Sequence, residues 1–186
     1  MTRLRLMLLS ALGIATALGV SVMPAFTATP ASNGSVVGMV TALGGGACLQ
    51  LSNTSVSFGT LPFSTRTQLS SAQGSPVPSF QNCSNFNESV SIAGSDASGI
   101  NTSWQLKVAG NPCVDASGAA QINVYGLTFD AAPVGHGRIS KTATPISTYP
   151  AGVTTPLALQ LEMPCFGSSG DGQVVSFSVN LTAEVT

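Results

Sequence analysis

The feature that most constrains this chain is a period-two alternation at its C-terminus. Val175, Phe177, Val179, Leu181, Ala183 and Val185 fall on one side of an extended backbone, and Ser176, Ser178, Asn180, Thr182 and Glu184 on the other. Successive side chains of a β-strand point to opposite faces, so this stretch reads as a strand with one buried and one solvated face. The pattern recurs upstream. Leu157, Leu159, Leu161 and Met163 alternate up to Pro164, and Trp104, Leu106 and Val108 form another such run. Val90 with Ile92, Val56 with Phe58, and Leu49 with Leu51 are shorter examples. Ile122 and Val124 change phase into Tyr125, Leu127 and Phe129, which predicts a bulge near Tyr125. Clusters of Gly, Pro, Ser, Asn and Asp punctuate the runs at 70–78, 94–99, 110–118, 131–137 and 167–172 and read as turns. Many short strands with turns between them, and no long apolar stripe of helical period, predict an all-β antiparallel sandwich.

The N-terminus has a different composition. Arg3 and Arg5 precede an apolar run over Leu6–Val22, then Pro24 and the small residues Ala25, Thr27, Ala28, Thr29 and Ala31. That layout is a secretory signal peptide with cleavage expected near Ala31. The expected organisation is therefore a signal peptide over 1–31, an N-terminal strand with a Gly-rich hinge over 32–47, and a β-sandwich over 48–186. No later segment is apolar for long enough to predict a membrane-spanning helix. The expected location is secreted, extracellular or on the cell surface.

Only 7% of the residues are charged, against about 25% in a typical soluble domain. Beyond the leader the basic residues are Arg66, Lys107, Arg138 and Lys141, facing seven acidic ones. So few dispersed cations exclude nucleic-acid binding by phosphate neutralisation. A strand face of Ser, Thr, Asn and Gln keeps such a surface wet without charge. His136, the single histidine, lies between two glycines and reads as an exposed turn residue. Nucleophilic acyl transfer needs a base that the remaining inventory does not offer, and neither a G-x-S-x-G elbow nor a phosphate-binding glycine loop is present. Glu88, Asp96, Asp115, Asp130, Glu162, Asp171 and Glu184 include no pair that spacing selects for glycoside hydrolysis. The expected protein is not an enzyme and carries no cofactor.

Cys48, Cys83, Cys113 and Cys165 are all in the exported part, and an even count in an oxidising compartment predicts two disulfides. Their wide spacing does not suit a metal site. Asn-x-Ser/Thr triplets occur at Asn33, Asn53, Asn82, Asn87, Asn101 and Asn180, as expected in so Ser- and Thr-rich a chain. Trp104, alone of its kind in an alternating strand, is expected in the core.

Two resemblances add to this. Val56-Ser57-Phe58-Gly59-Thr60-Leu61, then Val90-Ser91-Ile92-Ala93-Gly94-Ser95-Asp96-Ala97, Trp104-Gln105-Leu106, Leu159-Gln160-Leu161-Glu162-Met163-Pro164-Cys165 and Gly172-Gln173-Val174-Val175-Ser176-Phe177 follow one another along the mature chain. In order and spacing they resemble the secreted Ig-like β-sandwich domains of bacterial surfaces. That resemblance implies a structural or adhesion module with other envelope or extracellular proteins as partners. The N-terminal half is also similar to chaperone–usher pilins. It has Cys48-Leu49-Gln50-Leu51 ahead of Val56 and Phe58-Gly59, with the next cysteine at Cys83, and Asn33-Gly34-Ser35-Val36-Val37-Gly38-Met39-Val40 upstream. This likeness implies a donor strand with Val36, Gly38, Val40 and Ala42 on one face, Gly38 at a tight pocket, and self-assembly into a homopolymer by strand addition. Gly44-Gly45-Gly46 would be its hinge. The chain departs from pilins in lacking a penultimate aromatic, in having a second cysteine pair, and in a long C-terminal strand able to complete the sandwich by itself. An ordinary first strand paired within one subunit is the other reading of Val36–Val40. Both resemblances imply a Cys48–Cys83 bridge, which leaves Cys113 and Cys165 as the second pair. A carbohydrate- or ligand-binding module is a third functional expectation, weakened by the few aromatics available for a sugar platform.

Overall fold

The computed structural model describes residues 33–44, 47–68, 76–108, 110–131, 135–170 and 172–186. The leader over 1–31, Gly45-Gly46 of the hinge and Asp171 lie outside the described residues.

The C-terminal alternation becomes the strand β14 (Val174–Val185), which the rest of the fold surrounds. Val175, Phe177, Val179, Leu181 and Ala183 are buried, while Val185 is exposed where the strand leaves the sheet. Along one edge β14 runs antiparallel to β6 (Glu88–Gly94), which in turn pairs with β11 (Thr144–Tyr149). Along the other edge it is bonded to β1 (Asn33–Gly44), whose far side pairs antiparallel with β3 (Ser55–Pro62). These five strands form one sheet.

The second sheet is built on β9 (Val124–Ala131). Its neighbours are β13 (Ala158–Glu162), followed outward by β4 (Arg66–Gln68), and on the opposite side β8 (Thr102–Lys107) and β10 (Gly135–Arg138). A short hairpin partner of β8, β7 (Ala97–Gly99), also touches β14 and carries the ladder from one sheet to the other. A smaller sheet, β2 (Leu49–Ser52), β5 (Ser79–Asn82) and β12 (Thr154–Pro156), has the order β12-β5-β2. The inward residues of the sheets form one core in which Trp104, Tyr125, Phe58, Phe63, Phe177 and Ile92 are fully or almost fully buried. The chain is an all-β protein of packed sheets.

Four expectations are corrected. The sandwich is not purely antiparallel, because β1 runs parallel to β14 and β8 parallel to β9. The phase change at Tyr125 is not a bulge: β9 keeps register with β8 and β13, and Val124, Tyr125, Gly126 and Leu127 are all buried because both faces of the strand are covered there. Val108 lies just past the end of β8 and is exposed. The 94–99 and 131–137 clusters are not turns alone. They contain β7 and the start of β10, so His136 is an exposed residue on a strand, opposite Asp130.

The disulfides join Cys48 to Cys83 and Cys113 to Cys165, with Cα–Cα separations of 5.0 and 5.2 Å. Such bonds persist in an oxidising compartment. The first bridge closes a 35-residue separation beside β2 and β5, and the Cys83 amide also donates to the Cys48 carbonyl at 2.8 Å. Replacing Cys48 and Cys83 by alanine is expected to cost about 3–4 kcal/mol from loop-closure entropy, a fall in Tm of roughly 10 °C by calorimetry.

Both tyrosines are buried. The Tyr125 hydroxyl donates to the Ser95 carbonyl at 2.6 Å, and burial first, then the Asp96 charge, pushes its pKa well above the ordinary tyrosine range. Burial raises the pKa of Tyr149 as well. The folded chain therefore holds both phenolic protons more tightly than the unfolded chain. The stability this contributes is complete below about pH 10 and is lost as pH rises beyond it. Absorbance at 295 nm is expected to show no tyrosinate until the chain unfolds. A reversible step near pH 10 with the far-ultraviolet circular dichroism intact would contradict it.

Candidate functional site

Two places in the fold combine unusual geometry with chemistry. The first is the slot between β3 and β14. In the parallel ladder Val36, Gly38, Val40 and Ala42 stand opposite Val175, Phe177, Val179 and Leu181, all four of which are buried. Gly38 is buried at the middle of β1. A Cβ there would lie 2.8 Å from both the Phe177 ring and a Val56 methyl, so the close approach of β1 to the core requires glycine. The strand occupies the slot of its own chain, and β14 does not complete the sandwich by itself: β1 separates it from β3 along their whole shared length.

The second place is a cleft of about 430 Å³ on the outer face of the second sheet. Leu159 and Leu161 of β13 point into the core, so the alternation turns Glu162 outward. Glu162 is nevertheless only 3% exposed, because two arginines cover it. Arg66 of β4 bonds its Oε1, and Arg138 of β10 bonds its Oε2 at 2.7 Å. The Glu162 side chain lies over Gly126 of β9, where a Cβ would come within 2.5 Å of Oε2. The remaining wall is Ser64, Thr65, Met163 and the loop Gly110–Cys113. Lys107 fastens that loop by donating to the carbonyls of Asn111 and Val114, and the Cys113–Cys165 bridge anchors its end. Two guanidinium groups face one carboxylate, leaving one positive charge in excess. Burial and then the charge of Arg66 both work against the protonated form of Arg138 and lower its pKa from the usual arginine value. Arg138 Nη1 is buried with no hydrogen-bond partner.

The other charged groups are distributed elsewhere. Glu88 is buried and accepts the Cys48 amide at 2.7 Å. Asp96 accepts the Leu106 amide and the Lys141 ammonium, which together outweigh its burial and hold its pKa below the usual carboxylate value. Asp115 closes its own turn onto the amides of Ser117 and Ala119. Of the glycosylation triplets, Asn82 is fully buried and its amide donates to the carbonyls of Phe86 and Tyr149, which excludes it as an acceptor in the folded chain. Trp104 packs in the core as expected.

Arg66, Arg138 and Glu162 were each visible in the sequence, but nothing in their spacing joined them. The usable signal was that Glu162 falls on the polar side of a strand while the chain beyond the leader has only two arginines. No protein-family profile matches the chain, and no curated protein matches it.

Proposed function

We propose that the chain is a non-catalytic, exported structural or surface module, an Ig-like sandwich stapled by two disulfides. One observation carries this reading: the described carboxylates with assigned contacts hold the fold together. Glu88 ties the start of β2 to β6, Asp96 ties β8 to the segment after β10, Asp115 closes a turn, and Glu162 joins three strands of the second sheet. The two disulfides support export. Expression of the full-length chain in a bacterial host tests it. The expected product is outside the cytoplasm, begins near residue 32, and is about 4 Da lighter than its reduced form. A full-length, reduced chain retained in the cytoplasm would overturn the reading.

The slot favours a second reading, a pilus or fimbrial subunit that polymerises by donor-strand exchange. If β1 departed, its neighbours β3 and β14 would both be left with an open edge, and a glycine run follows it. The same strand from a second copy would meet the same bonds and the same Gly38 pocket.

A further inference from the structure

The geometry points to a ligand site in the Arg66–Glu162–Arg138 cleft, for a small carboxylate that also bears hydroxyl groups: a sugar acid of about one ring. The volume, about 430 Å³, lies in the range of small-molecule sites. Glu162 engages one nitrogen, Nη2, of each arginine. A guanidinium has five N–H donors in a rigid fork that matches a carboxylate, so donors remain on both. Arg66 is the accessible one, with a side chain 59% exposed.

Charge selects the ligand. A monoanion leaves the two arginines and Glu162 neutral overall, whereas a dianion such as sulfate or a phosphate ester leaves one uncompensated negative charge beside the buried Glu162 carboxylate, which costs desolvation. The rest of the lining selects its other groups. Ser64, Thr65 and Asn111 line the cleft with Met163. The Thr65 hydroxyl donates to the Pro62 carbonyl, while the Ser64 oxygen and Asn111 Oδ1 each accept a backbone amide. The Ser64 hydroxyl proton and the Asn111 amide N–H groups are therefore the donors suited to a polyol, and no aromatic side chain lines the cleft for a neutral sugar to stack on. The wall is pre-set by Pro112, by the Cys113–Cys165 bridge and by Lys107, so little ordering is needed on binding.

Amide chemical shifts of the mature chain, titrated separately with sodium D-glucuronate, D-glucose and sodium sulfate, test the assignment. Glucuronate is expected to give saturable shifts at residues 64–66 and 110–113, with Kd in the low millimolar range. Arg66→Gln, which leaves Glu162 paired with Arg138, should weaken that binding at least about tenfold. Lys141→Gln, on the separate ion pair with Asp96, should bind as the parent does. The site is refuted if the parent chain shows no saturation by about 50 mM, or if Arg66→Gln binds as tightly as the parent. Equal shifts with glucose, or stronger ones with sulfate, would equally overturn it. The three ligand arms on the parent chain decide the matter even if a variant folds poorly.

Discussion

A chain lacking residues 33–44 is expected not to fold as a monomer. That deletion strips β14 and β3 of their shared partner at once. Ten residues of β1 are in register with β14 and seven with β3, so two rows of backbone donors and acceptors lose their partners. The deletion also opens the core at Phe177 and Val56, the side chains that press on Gly38. Domain stabilities are only about 5–15 kcal/mol, and losing a central strand removes at least that much. Far-ultraviolet circular dichroism should show loss of the cooperative thermal transition. A synthetic peptide of residues 32–46 should restore it when added in excess, since the bonds it makes are to backbone. A deletion mutant with an unchanged Tm would mean that β1 is an accessory to the sandwich. The smaller version of the test is Gly38→Leu, in which the new side chain has nowhere to go and the strand must lift from the slot.

The second large effect is at Trp104. The indole is fully buried, meets Phe63 edge-on at 6.0 Å and Tyr125 at 6.4 Å, and donates from Nε1 to the Ser169 carbonyl at 2.8 Å. Trp104→Ala leaves a cavity and an unpaired carbonyl at Ser169. The expected cost is about 5 kcal/mol, a fall in Tm of roughly 10–20 °C. Trp104→Phe keeps most of the apolar volume and loses only the hydrogen bond and part of the ring contact, so it should cost less than half as much. Equal losses for the two variants would place the stabilisation in the hydrogen bond and not in the packing.

Much of the fold was legible because one-sided burial writes itself into the sequence. The alternation of β14 and the Leu157–Met163 run is the burial pattern itself, since each strand has one face on the core. The same rule misled at Val124–Leu127, where both faces are covered and alternation disappears. The three-residue strands β4, β7 and β12 are too short to show a period, and they exist because a neighbouring strand supplies their bonds. The direction of β1 was not legible. Alternation fixes which residues share a face, but it is the same read forwards or backwards, so the parallel pairing with β14 is set by where the chain returns. The cleft was least legible of all. Arg66 and Glu162 are 96 residues apart, and Glu162 looked like any outward polar residue until β4 and β10 brought an arginine to each of its oxygens.

The central claim is that the N-terminal strand completes the sandwich of its own chain. Light scattering on the mature chain as it elutes from a size-exclusion column tests this most directly. A single species with the mass of one chain, unchanged over a hundredfold range of loading concentration (about 1–100 μM), is the predicted result. A ladder of species at whole-number multiples of the chain mass, surviving in SDS without heating, would contradict it and establish exchange of β1 between copies.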